Sequence, residues 1–517
     1  MSDECLVGVD VGTQGTKAAM FSRSGECLAE AFVKSDLRYP GPGMVEEEPE
    51  AQLSAAARAI AGCLERSGRK PASVAALAVD GQMAGVIGIG DDGKSITPYD
   101  SWLDTRCAPY IDLMQKAAGD EVLSKCGAIP SFNHGPKILW WKHERPEIYA
   151  RIASFVQPAA YVAMRLCSMD SRPAYIDHTY LHFSGFADNL NLKWDEALCR
   201  EFEVDQTKLP RIVAPHDIVG RISREGARGC GLAEGTVIAA GCGDTAASFL
   251  SCGATEIGTC VDVAGTASVF AGTTPRFAPD LHTKTLACAR SATPGLWHPY
   301  AYVNGGGLNL EWFRSQILGR GAKQTGGLAE AGPGEEDSAQ VEYAELERLS
   351  AELPFGEADP FFVPHFGGRV MPSAPYLRGA WAGLEWSHTL GHLYRAMLEG
   401  VALEYGIYLS LMRELHPDVA FSRLRATGGG ARNLLWNRIK ASVCGMPVTQ
   451  VVGSSGAPAG AAIIAGVGCG LLSGVAEASR AWVQTGETTE HEPELAGHFA
   501  ARRRRYELLV RGLTELR

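Results

Sequence analysis

No Cys-x-x-Cys pair occurs, although the chain carries fourteen cysteines. Scattered thiols of this kind, in a long chain, read as reduced and buried small hydrophobes. Positive charge is short as well: 48 Lys and Arg against 59 Asp and Glu leave a net charge of -11. That excludes sequence-independent nucleic-acid binding, which needs a basic surface, but leaves open a small anion held in a local pocket. The first residues, Met1-Ser2-Asp3-Glu4, are acidic where a secretory leader is basic. A long apolar run is missing too. The uncharged stretch between Lys440 and Glu477 is broken by Pro458 and many glycines and has few Leu or Phe. It reads as a buried Gly/Ala-rich helix beside a ligand loop rather than a membrane span. Together these absences predict a soluble, cytoplasmic protein with no nucleic-acid or membrane partner.

Composition is otherwise ordinary, with 46% hydrophobic and 21% charged residues, which rules out disordered, collagenous and coiled-coil classes. A chain of 517 residues exceeds what one core supports, about 250–300 residues, so two large domains are expected. Glycine is in excess: 60 of 517 residues is roughly 12%, against about 7% on average. Tight turns and backbone-lined ligand loops follow from that.

Patterning opens with a hairpin: strand Leu6–Asp10, turn Gly12–Gly15, strand Thr16–Phe21 and a further turn at Gly25. Pro49 and the spacing of Leu53, Ala57, Ile60 and Leu64 predict a helix ending near Gly68. Val74–Val79 and Val86–Ile89 read as strands, helices dominate to about Leu166, and strands return at Val237–Ala240. Gln340–Leu353 reads as a surface helix between loops.

An internal echo is the informative feature. Val9-Asp10-Val11-Gly12-Thr13 precedes a returning strand, and so does Val261-Asp262-Val263-Ala264-Gly265-Thr266. Two such units predict two similar α/β domains facing each other across a cleft, with the boundary near Phe249–Gly253, that is 1–249 and 250–517. A third glycine-rich loop, Thr427 to Asn433, lies between a strand (Leu424–Ala426) and a helix starting near Leu434.

Turns rich in Gly and Thr direct several N–H groups and a hydroxyl at one point, which suits phosphate, and a preceding Asp suits Mg²⁺. Lys17 would add positive charge near the first turn, or stand as a solvated strand lysine. Familiar nucleotide motifs do not fit. Gly12–Lys17 is too short for a P-loop, and Gly241-Cys242-Gly243 lacks the rest of a dinucleotide fingerprint. His178 and His182 have Thr179 where a zincin has Glu, so both read as structural. The Arg502–Arg505 run reads as one solvated face of a helix. Asp244 follows an apolar strand and a Gly turn and begins a small-residue helix. It reads either as a base at the carboxyl end of a strand or as an N-cap.

These residues resemble the FGGY family of carbohydrate kinases, on its xylulokinase-like side. Gly379-Ala380-Trp381-Ala382-Gly383-Leu384, seven residues, then His392 to Glu399 satisfy the family's C-terminal signature at every defined position. The N-terminal signature is met at Lys137-Ile138-Leu139-Trp140 and departs at His134, Trp141 and His143. Further matches are Asp10 to Thr13, Gly81-Gln82-Met83, Trp102 to Arg106, Gly243-Asp244, Gly265-Thr266 and Gly428 to Ala431.

The resemblance implies two ribonuclease-H-like, actin-type ATPase domains around a central cleft, and transfer of the ATP γ-phosphate to a hydroxyl of a sugar or polyol. It implies Asp244 as general base, with Asp10 and Asp244 at Mg²⁺. Gly12, Thr13 and Lys17, and on the other side Gly265 and Thr266, would meet phosphates; Gly429, Gly430 and Asn433 would lie along the adenosine. Gln82, Met83, Trp102, Asp104 and Arg106 would approach the sugar. Core packing for Trp102, a mutual pair for Asp104 and Arg106, and a plain loop role for Asp177 stand beside those roles. A homodimer is compatible with the family.

Two departures bear on the substrate. Ala84 replaces the His of the xylulokinase pattern, and Gly367-Gly368-Arg369 lacks that pattern's Glu. A ketopentose is the expected acceptor, with a polyol such as erythritol, another ketose, or a non-catalytic actin-like binding protein as the alternatives.

Overall fold

The computed structural model describes residues 4–319, 335–453 and 455–516. Its framework runs β1 (Cys5–Val11), β2 (Gly15–Ser22), β3 (Cys27–Lys34), α1 (Pro49–Ser67), β4 (Val74–Gly81), α2 (His134–Glu144), α3 (Pro158–Leu166), β5 (Ile218–Arg221), β6 (Val237–Gly243) and α4 (Asp244–Ser251). It continues with β7 (Thr259–Ala264), β8 (Ser268–Gly272), β9 (Trp297–Val303), α5 (Leu390–Leu415), β10 (Arg423–Thr427), α6 (Leu434–Cys444), β11 (Val448–Val452), α7 (Ala457–Gly468), β12 (Gln484–Thr489) and α8 (Pro493–Glu515).

Two compact units result. The first comprises Met1–Ile257, Thr273–Pro299 and Gly453–Gln484; the second comprises Gly258–Gly272, Tyr300–Val452 and Thr485–Arg517. The chain thus first leaves the first unit after Ile257 and returns to it twice.

In the first unit a sheet of order β5-β6-β4-β1-β2-β3 forms, with β1, β4 and β6 parallel and β2 antiparallel to β1. Alternation along β1 sorts its side chains to two faces. Val7, Val9 and Val11 join a core with Ala56, Ala59, Ile60 and Cys63 of α1 and with Tyr161 and Val162 of α3. Leu6 points the other way, to a core built on Ile463 and Ile464 of α7 and on Ala247 and Leu250 of α4. The uncharged stretch thus supplies a buried helix, as its composition implied; no helix among the described residues is long and apolar enough to cross a membrane. Gly8 lets that helix approach, because a Cβ there would lie 1.8 Å from the Pro458 carbonyl oxygen.

Six strands of a seven-stranded sheet repeat the plan in the second unit: β9-β8-β7-β10-β11-β12, with β8 antiparallel and β10 parallel to β7. A hairpin whose first strand pairs in parallel with a later strand appears in both units, as a ribonuclease-H-like duplication requires. Most long elements lie where patterning put them. The helix expected at 340–353 spans Glu335–Ala351, while part of the segment around it lies outside the described residues. One difference matters for chemistry. β4 does not end at Val79 but carries its pairing through Asp80 and Gly81.

Candidate active site

Because β1, β4 and β6 run in parallel, their carboxyl ends meet at one edge, where open α/β sheets hold ligands. Asp10 stands in register with Asp80, and Asp80 with Cys242, two residues before Asp244. Three carboxylates therefore converge. Burial pushes Asp10 up to about 6, against the pull of a hydrogen bond with Asp80 and the charge of Lys17. Burial, then the charges of Asp10 and Asp244, drive Asp80 well above the carboxylate range. Burial and then Asp10 push Asp244 up to about 7, which Thr245 partly offsets.

Asp244 is the first residue of α4, and Gly243 takes the N-cap position. The N-cap alternative for Asp244 is thus not realised. The extended backbone of Gly243 places the carboxylate one residue inside the helix. Its Oδ1 accepts from the Thr245 N–H (2.5 Å) and hydroxyl (3.1 Å). Oδ2 has no hydrogen-bond partner among the described residues, and the residue is only half-buried. A carboxyl titrating near neutrality, held at one oxygen, has the makings of a general base.

Around it the first Gly-Thr turn closes through a Gly12 N–H to Gly15 carbonyl bond (3.1 Å). The Thr13 hydroxyl accepts from the Trp102 indole N–H (2.8 Å) and donates to Gln82 Oε1 (3.2 Å). Gln82 donates in turn to Glu47 (2.9 Å), a buried acid that sequence reasoning did not single out. One expected phosphate residue and two expected sugar residues are thereby tied together. Trp102 is 41% exposed, so it presents a ring face instead of filling the core. Met83 packs beneath the base: a Cβ at Gly243 would lie 1.8 Å from its Sδ. The Met83 carbonyl is bonded by a His134 ring nitrogen (2.8 Å).

Asp104 and Arg106 hold each other. The Asp104 carboxylate, fully buried, accepts from Arg106 (2.6 Å) and from the Val45 N–H (2.7 Å). Arg106 also meets Glu46 (2.6 Å) and lies over Trp140 (4.9 Å). Both shape the loop that presents Trp102. Lys17 is the cross-strand partner of Asp10, yet its Nζ pairs with Glu30 (3.0 Å) and donates to the Ser455 carbonyl (3.2 Å).

Asp177, Thr179 and Tyr180 form a brace. Thr179 donates its hydroxyl to Asp177 (2.6 Å) and accepts from the Gly243 N–H (3.0 Å). The Tyr180 hydroxyl reaches the carbonyls of Gly81 (3.0 Å) and Cys242 (3.3 Å), clamping β4 to β6. His178, which meets the Ser291 carbonyl (3.1 Å), and His182 are buried beside it and structural, as expected.

In the second unit three glycine-rich segments meet at the end of β7. Gly265 receives the Gly307 N–H (3.0 Å), and Thr266 receives the Leu308 N–H (3.1 Å). Gly428, at φ 86°, brings its backbone so near the Ala264 carbonyl that a Cβ would lie 2.5 Å from it. Gly429 beside it borders open space, and Gly430 packs on Ala264 and Trp436. Asn433 caps α6 through the Trp436 N–H (2.7 Å) and reaches the Tyr394 hydroxyl (3.4 Å). The run Gly305-Gly306-Gly307 was missed, although three adjacent glycines were a readable signal. The echo's second aspartate differs from the first: buried Asp262 is neutralised by Lys440 (2.6 Å) and by the Tyr405 hydroxyl (2.6 Å).

The family model described as FGGY family of carbohydrate kinases, N-terminal domain, matches residues 5–251, and that of its C-terminal domain matches residues 260–469. A xylulose kinase of Bacillus subtilis is 24% identical over 487 residues, covering 93% of this chain and 91% of its own. A gluconokinase of the same organism is 26% identical over 443 residues, covering 85% and 82%. The crystal structure of xylulose kinase from Rhodospirillum rubrum superposes with a TM-score of 0.86 at 24% identity, covering 99% of both chains, which establishes a shared fold.

Proposed function

As a member of the FGGY family of carbohydrate kinases, to which it belongs, this chain is an ATP- and magnesium-dependent sugar kinase, and we propose that its acceptor is a ketopentose of the xylulose type. The observation that carries the chemistry is the Asp244 carboxyl, pushed up to about 7 by burial and by Asp10, with Oδ1 held by Thr245. Oδ2 accepts the sugar hydroxyl proton as the oxygen attacks the γ-phosphorus and the bond to the β,γ-bridging oxygen breaks, releasing ADP; such a base contributes about 10²–10⁴-fold. Phosphoryl transfer otherwise depends on positioning and charge neutralisation.

The donor set fits magnesium. Apart from the contact between the two carboxyls, Asp10 Oδ1 and both Asp80 oxygens are buried without a hydrogen-bond partner among the described residues, and carboxylate oxygen is the ligand this ion prefers. Asp10, with Asp244 beside it, would hold it, and bound there the ion neutralises phosphate charge. Gly12 and Thr13 offer backbone N–H groups to phosphate, with Lys17 adding positive charge behind them. In the second unit Gly265 and Thr266 do the same, and Gly429, Gly430 and Asn433 take the adenosine. Gln82, Met83 and Trp102 contact the sugar, with Asp104 and Arg106 fixing the Trp102 loop.

Xylulose kinases among the relatives and the Gln82-Met83 pair support the ketopentose. Ala84, where the xylulokinase pattern has His, favours a second reading, a polyol such as erythritol or another ketose. A coupled ADP-release screen over tetroses, pentuloses, heptuloses and their alditols separates the two; no acceptor-dependent turnover would sink both. Asp244→Asn is expected to retain ATP binding by calorimetry while losing about 10²–10⁴-fold in transfer. Near-normal turnover in that variant would remove Asp244 from the role. All fourteen cysteines are free, which supports a reducing, cytoplasmic setting.

A further inference from the structure

Asp80 is fully buried, and apart from its contact with the Asp10 carboxyl neither of its oxygens has a hydrogen-bond partner among the described residues. The neighbouring backbone is served: Tyr180 bonds the Gly81 and Cys242 carbonyls on either side. The deficit belongs to the carboxylate alone. Taking an unpaired carboxylate out of water costs several kcal/mol, and what surrounds Asp80 makes it worse, since Asp10 and Asp244 are both acidic. The nearby cation, Lys17, is engaged by Glu30 and the Ser455 carbonyl.

The duplicated second unit acts as an internal control. There the aspartate matching Asp10 is Asp262, and its register partner on β10 is Ala426, where the first unit has Asp80. An alanine therefore satisfies the fold at this place. In the second unit, moreover, the lone aspartate is neutralised by Lys440 and Tyr405. The first unit has added a second buried carboxylate, and its nearby Lys17 is shared with Glu30 and the Ser455 carbonyl. A proton held between Asp10 and Asp80 would compensate it, and so would a cation from outside the chain.

We infer that Asp80 is a further carboxylate of the magnesium site, holding through a metal-bound water the ion that Asp10 binds. This rests on the assignment of magnesium to Asp10 made above. Among the described residues no three His, Cys, Asp or Glu groups are close enough to ligate one ion directly, and contact through water accords with that. Carboxylates that act one step from the metal are commonly worth 10–100-fold in affinity.

Mn²⁺ binding to the full chain with saturating ADP, read by electron paramagnetic resonance, tests this in the wild type, Asp80→Asn and Asp10→Asn. Asp80→Asn is expected to weaken Mn²⁺ binding about tenfold or more. Mn²⁺ should also raise the melting temperature of this variant less than that of the wild type. Unchanged Mn²⁺ affinity in Asp80→Asn, with Asp10→Asn weakened, overturns the role of Asp80 alone and leaves it a neutral packing acid. Unchanged affinity in both variants overturns the magnesium assignment at Asp10 as well. Should Asp80→Asn fail to fold, Asp80→Ala, which copies Ala426 of the second unit, carries the same comparison.

Discussion

Asp177 and Asp244 are joined by Thr179 and the Gly243 N–H, yet their environments assign them different work. Asp177 is fully enclosed, and burial pushes its carboxyl up to about 7 against the hydrogen bonds of Thr179. An unfolded aspartate titrates near ~3.9. The folded state thus keeps a proton that the unfolded chain releases, and stability from this group is full below pH ~4 and lost as pH rises to about 7. Asp177→Asn keeps an acceptor for Thr179 and removes the charge. We expect it to unfold later in urea than the wild type at pH 8, by roughly 2–4 kcal/mol, with the gap closing toward pH 4. A gap independent of pH would show that Asp177 is already neutral for another reason. Asp10 was legible because it ends an apolar strand before a Gly turn, and Asp244 because it follows an apolar strand and its Gly turn. Asp80 was not read, although Ala78-Val79-Asp80-Gly81 carries Asp10's signature, because the strand was ended two residues early. The pairing of Lys17 with Glu30, and of Asp104 with Arg106 and Glu46, depends on which strands and loops lie side by side, and spacing along the chain does not carry that.

The contact between β1 and α7 illustrates what decides placement among elements. At Gly8 two backbones touch, so an added methyl cannot be relieved by turning a side chain. Gly8→Ala is therefore expected to destabilise the first unit by about 2 kcal/mol or more, since overpacking typically costs 1–3 kcal/mol; urea unfolding measures it. Loss below ~0.5 kcal/mol would mean that α7 can lift from the sheet freely. Elements with strong periodicity or caps were readable: the β1–β2 hairpin, α1 between Pro49 and Gly68, β7–β8, and α6 behind Asn433. Strands of three or four residues such as β5 were not, because so few positions show no period. That α7 is a short, enclosed helix did follow from its glycine, its proline and its lack of charge; that it covers β1 did not.

At the scale of the molecule, burial governs thiol chemistry. Only Cys27, Cys167 and Cys469 are partly exposed, and burial pushes the Cys167 thiol up to about 12, so little thiolate is present at neutral pH. Ellman's reagent is expected to label at most these three sites promptly in the native protein and all fourteen in guanidinium. Prompt labelling of more would contradict the closed cores of both units. A duplicated α/β plan was visible in the echo of Asp10-Val11-Gly12-Thr13 in Asp262 to Thr266. The interleaving of the two units was invisible, since nothing local marks residues 453–484 as belonging with residue 8. That return has a consequence for synthesis. A ribosome that has delivered the whole of the opening segment still withholds the helix that roofs one side of its sheet, and releases it only after most of the second unit has emerged. Until then Leu6, Ala76 and Ala78 face water uncovered, a greasy surface for chaperones to shield during nearly the full time of translation.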